Sequence, residues 1–137
     1  MDNKSRTNTY VINGNLAAFS RMDMDKKRIW DATTTFRMKS AIQLEKQHGD
    51  KPKFEGPLHI DCVFYLEFPG AKYLAQKQVG NYHLIKPYMS VLMYFLEHIG
   101  IGILFSEGSS IASVTSKKVY DLNARTEFTI HPIKGEK

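Results

Sequence analysis

Five histidines, a single cysteine and a scatter of carboxylates are the groups in this chain most suited to chemistry. His83 and His98, with Glu97 or Glu107 as a third donor, have the residue types of a zinc site. No cysteine pair or His-x-Glu-x-His cluster accompanies them, and the spacings of known zinc sites are not met. Ser109 and Ser110 beside Glu107 and Gly108 invite a nucleophile. No base stands at a defined spacing, and a turn is the simpler reading of that stretch. Cys62 sits in the apolar run Cys62-Val-Phe-Tyr-Leu66 and reads as a small core residue. As the one cysteine it also excludes an intrachain disulfide and fits a reducing compartment. His59 and His131 fall in or beside strands, where exposure or a hydrogen bond satisfies them.

The cations carry more information. Lys117 and Lys118 are adjacent, so on a strand they point to opposite faces and one alone can meet a given ligand. Arg21, Lys26, Lys27 and Arg28 crowd the polar stretch 20–28, which reads as a loop. Lys72 and Lys77 lie in a second polar stretch, 71–82, which also reads as a loop. Lys86 and His83 come just before a helix expected to open at Pro87. If these segments converge they form a cationic rim that binds phosphates without reading bases. A solvated surface is the alternative. The net charge of +5 is compatible with both.

Positioning these residues requires a sheet and two main helices. Thr9–Asn13 reads as a strand closed by Asn13-Gly14-Asn15. Asp31 is a candidate N-cap for an amphipathic helix that ends near His48-Gly49. The Pro- and Gly-bearing stretch 50–57 is a loop, and 58–68 is the strongest strand, apolar enough to be central. A helix follows over 87–99, stopped by Gly100 and Gly102. Strands over 111–120 and 125–130, joined by Asp121-Leu-Asn-Ala124, predict an antiparallel C-terminal β-hairpin. The order argues one small α+β (or α/β) domain over 1–137, with tails at 1–8 and 132–137. No apolar run is long enough to span a membrane, and the N-terminus lacks the apolar stretch of a signal peptide. The expectation is a cytoplasmic protein with no membrane association, nucleoid-associated if it binds DNA.

From about Pro57 to Ile130 the chain resembles the RusA-type Holliday junction resolvases, which are crossover junction endodeoxyribonucleases. His83, Lys86 and Pro87 look like that family's approach to its catalytic helix. Leu92 and Phe95 fall on the helix's apolar positions, and Gly102 and Ile103 match the turn after it. Ser109, Ile111 and Ser113 match the following strand. Lys117-Lys118-Val-Tyr120 and Arg125-Thr-Glu127 look like the family's closing hairpin. No gap is needed between Lys86 and Ser113. The resemblance implies a mixed sheet, a homodimer and magnesium-assisted phosphodiester hydrolysis. The implied ligands are carboxylates, because a hard cation wants oxygen donors.

Those carboxylates are almost all replaced. The positions the resemblance implies are Tyr88, Ser90 and Val91, then Glu107 and Gly108. Tyr94 stands where the family has a lysine, and His98 where it has an acid. Only Glu107 keeps a carboxylate. A phenol with an ordinary pKa near ~10 is a poor magnesium ligand at neutral pH. The losses fall on the metal positions while the apolar frame is kept.

The leading expectation is therefore a catalytically inactive RusA-like protein that needs no cofactor and binds DNA, perhaps branched, as a dimer through its basic loops. A second is a structural or adaptor protein that uses the apolar helix 88–99 for protein contact. Met89, Leu92, Met93, Tyr94, Phe95 and Leu96 are its candidate interface, with a core helix as the alternative. A third is an active magnesium-dependent junction endonuclease with a rearranged site, using Glu107 with acids from elsewhere such as Asp23, Asp25 or Asp31, whose spacing offers it no support.

Overall fold

The computed structural model describes residues 8–14, 26–85, 88–107 and 110–133, with the backbone alone over 26–34. Its elements run β1 (Thr9–Asn13), α1 (Lys26–His48), β2 (Leu58–Leu66), α2 (Lys72–Gln78), α3 (Met89–Gly100), β3 (Ile111–Tyr120) and β4 (Arg125–Pro132). The strands form one sheet in the order β1-β4-β2-β3. β4 is antiparallel to both β1 and β2, whereas β2 and β3 are parallel. This is the mixed sheet of a small α+β domain.

β2 is central because its sequence allows nothing else. Leu58, Ile60, Cys62, Phe64 and Leu66 are all buried, and such a strand is stable only with both edges paired. β3 lies parallel to β2, so the chain must return between them, and α3 lies in that crossover. α1 and α3 cover one face of the sheet. Leu44, Leu92, Phe95, Leu96 and Ile99 pack there onto Ile12, Ile60, Phe64, Phe128 and Ile130. The Phe36 and Phe95 rings stack with centroids 5.2 Å apart and join the two helices. Gly100 allows the close return of Phe105, whose ring would lie 2.7 Å from an added Cβ.

The expected hairpin does not form. β3 and β4 flank β2 on opposite sides. The four-residue connection crosses the end of β2, where the Asp121 N–H donates to the Leu66 carbonyl at 2.9 Å. Four residues easily reach across two strand spacings, about 9.5 Å. The apolar β2 thereby gains both partners, one of which a β3–β4 hairpin would deny it.

Three smaller expectations also change. The stretch 71–82 contains helix α2, which has no buried residue; its Lys, Leu, Ala and Gln are good helix formers. α1 starts at Lys26, so Lys26, Lys27 and Arg28 occupy its first turn and Asp31 is interior. No Gly or Pro interrupts 26–31, so the helix runs through the proposed cap. β4 continues through Pro132, and the Ile133 N–H donates to the Pro57 carbonyl, so 132–133 belong to the sheet rather than a tail. The end of α1 is as expected: Gly49 takes φ +63° and its N–H returns to the Glu45 carbonyl.

Candidate functional site

α3 runs antiparallel to β2 and β3, and this direction separates the positions implied by the resemblance. Tyr88 and Ser90 stand at its start. That start follows a segment tied to the end of β3, where the His83 N–H donates to the Lys118 carbonyl and Lys118 Nζ donates to the Ile85 carbonyl at 2.9 Å. Glu107 lies beyond the other end, after Phe105, which bridges to Phe54 just ahead of β2. The 12-residue helix puts about 18 Å between its ends. Within one chain, Glu107 and the helix start do not share a site. Gly108 and Lys86 lie outside the described residues.

The donor set does not suit magnesium. The first turn of α3 holds no acidic residue, and its N-cap Tyr88 makes no side-chain capping bond. A phenol and a serine hydroxyl replace the several charged oxygens that a hard cation needs. Val91 is half-buried against the core. Among the described residues, no three His, Cys, Asp or Glu side chains are grouped to hold a metal.

The candidate interface on α3 divides in two. Leu92, Phe95 and Leu96 are buried at 0%, 5% and 2% exposure, so they belong to the core and offer no interface. Met89 and Met93 are half-buried on its flank, with Met93 Sδ 3.6 Å from Cys62 Sγ. Tyr88 and Tyr94 are exposed, and the Tyr94 ring lies 4.1 Å from that of His98. Cys62 is buried as expected, and burial pushes its thiol up to about 12.

The cations fare unequally. α2 sits at the C-terminal end of the parallel strands: Lys72 and Ala75 line a groove there with Glu67, Phe68 and Asp121, and the Gly80 N–H donates to the Tyr120 carbonyl. Lys72 and Lys77 are both exposed. Lys118 points to the helix side, where burial lowers its pKa. Lys117 is exposed on the opposite face, as the alternation requires. His83 cannot meet a phosphate with its ring, for it is 2% exposed and packed 4.9 Å from the Tyr120 ring. Its Nδ1 is buried without a hydrogen-bond partner. Burial first, and the Lys118 charge second, lower its pKa. Arg21 lies outside the described residues, and of Lys26, Lys27 and Arg28 only the helical backbone is described.

A polar network on the open sheet face was not anticipated. Asp61 accepts from His59 Nε2 at 2.8 Å and from His131 Nε2 at 2.9 Å, while His59 Nδ1 lies 2.6 Å from Ser113 Oγ. These two hydrogen bonds hold the Asp61 carboxyl below its usual range. His59 and His131 are hydrogen-bonded, in line with the sequence reading. The only signal for Asp61 was its place two residues from His59, on the same strand face. The network is open to solvent, and each imidazole is turned onto the carboxylate.

No family model matches the chain, and no curated protein matches it.

Proposed function

We propose that this chain is a RusA-like protein that binds DNA, branched DNA included, as a dimer and does not cleave it. The observation that carries this reading is the exchange of charge at the start of α3. That helix opens without a carboxylate, on an end of the sheet where Lys118 is pinned and Lys72 and Lys77 stand exposed. A surface of that sign attracts phosphodiesters and lacks the oxygens that would bring a divalent ion to them.

Binding to a four-way junction and to duplex, across a salt series with and without magnesium, tests it. Salt-sensitive binding without strand cleavage is the expected result. Magnesium-dependent cutting that disappears in Glu107→Ala would overturn it in favour of an active nuclease. The exposed Tyr88 and Tyr94 favour the adaptor as the second reading, and absence of binding at low salt would select it.

A further inference from the structure

α1 helps to cover one face of the sheet and closes its β1 edge, where Gln47 Oε1 accepts from the Val11 N–H and Gln47 Nε2 donates to the Val11 carbonyl. The opposite face carries a relay built from three strands. His59 and Asp61 come from β2, Ser113 from β3 and His131 from β4. His59 stands in register with Ser113 on one side and with His131 on the other. Its pairing with Ser113 exists because of a register shift. Leu58 lies beside Ile111, so unbroken parallel pairing would bring Ala112 beside His59. Ala112 is bulged out instead, and the serine takes that place. Bulges are rare between parallel strands, and one recurrent use of a bulge is to re-aim a side chain.

The hydrogen bonds fix where the protons lie. An ionised carboxylate can only accept, and the two Asp61 oxygens take the Nε2–H groups of His59 and His131 at 2.8 and 2.9 Å. In the neutral His59 ring, a proton on Nε2 leaves a lone pair on Nδ1. The Ser113 hydroxyl, 2.6 Å from Nδ1, therefore donates to it. We propose that Ser113 is a base-activated nucleophile that takes an acyl group from an activated ester or thioester. Its Oγ, the His59 ring and the Asp61 carboxylate stand in the order of a Ser-His-Asp triad, with the two ring nitrogens exchanged. Attack forms the bond from Oγ to the acyl carbon and breaks the bond from that carbon to the leaving oxygen or sulfur. The Oγ proton passes to Nδ1 and from there to the leaving alkoxide or thiolate. Asp61 stabilises the imidazolium formed in between, and His131 holds Asp61. Ser113 and Asp61 are exposed. A hollow of about 390 Å³ beside Asp61, lined in part by Thr9, Thr115, Lys117 and Thr129, gives the rest of the donor a place to lie.

This site is independent of the DNA reading, and its test needs no nucleic acid. The native protein mixed with p-nitrophenyl acetate should release p-nitrophenol in a stoichiometric burst, and peptide mass analysis should place the acetyl group on Ser113. A positioned general base is worth about 10²–10⁴-fold. Ser113 should therefore be acetylated at least about 100-fold faster than Ser106, an exposed serine after α3 that serves as the internal reference. His59→Gln, with an unchanged circular dichroism spectrum, should remove that advantage, and Ser113→Ala should abolish the burst. Ser106→Ala should leave the burst as it is. Acetyl groups spread over exposed lysines and serines with no preference for Ser113 would overturn the proposal. So would an acetyl group that stays on the His59 imidazole, or a Ser113 rate unchanged in folded His59→Gln.

Discussion

The imidazoles of His48 and His83 are both buried, and burial lowers the pKa of both. His48 is satisfied: its Nε2 donates to the Pro52 carbonyl, so its Nδ1 accepts from the Tyr10 hydroxyl at 2.8 Å. Burial in turn pushes the Tyr10 phenol up to about 12. Removing that donor in Tyr10→Phe leaves a buried acceptor unpaired. It should cost about 1–3 kcal/mol in urea unfolding. His83 is the opposite case, because its Nδ1 already lacks a partner. His83→Met should be neutral or stabilise by about 1 kcal/mol at pH 7. The two histidines also fix the sign of the acid response. Their folded pKa values lie below the ordinary 6.5, so the unfolded chain binds more protons as pH falls through that value. Their contribution is complete above 6.5 and lost below it. Melting temperature should drop between pH 7 and 5, and less steeply in His83→Met.

At the scale of elements, what the sequence revealed was what local pattern encodes. The apolar run 58–66, the strand at Thr9–Asn13 and the Gly49 stop were legible because alternation and a left-handed glycine act within a few residues. Strand order was not, because Asp121–Ala124 is equally short for a hairpin and for a step across β2. Only competition for the edges of β2 decides between them. The candidate site was half legible for a related reason. Residue types at 88, 90 and 91 show that the carboxylates the resemblance implies are absent there, but the direction of α3 decides that Glu107, the one that is present, lies away from them. The closures predict measurable costs. Gln47→Ala uncovers both backbone groups of Val11 and should lose about 1–2 kcal/mol. Gly100→Ala forces a methyl against the buried Phe105 ring and should lose about 1–3 kcal/mol. Gly49→Ala meets open space and should lose only about 1 kcal/mol, from its φ alone. Urea unfolding of the three variants would rank them.

For the whole molecule, the question is whether the excess of +5 acts as a diffuse field or as a placed surface. A diffuse field would make every exposed lysine equivalent. The fold distinguishes them. Lys72 and Lys77 ride on α2 at the C-terminal end of the parallel strands. Lys39 and Lys46 ride on α1, whose C-terminal His48 packs at a tilt against Phe54 toward the opposite end. Each lysine that neutralises a duplex phosphate adds about 0.9 to the slope of log affinity against log salt. Lys72→Ala with Lys77→Ala should therefore lower that slope by up to about 2. Lys39→Ala with Lys46→Ala removes the same net charge and should leave the slope nearly unchanged. Equal losses from both pairs would mean that DNA sees only the net charge, and that α2 does not define a binding surface.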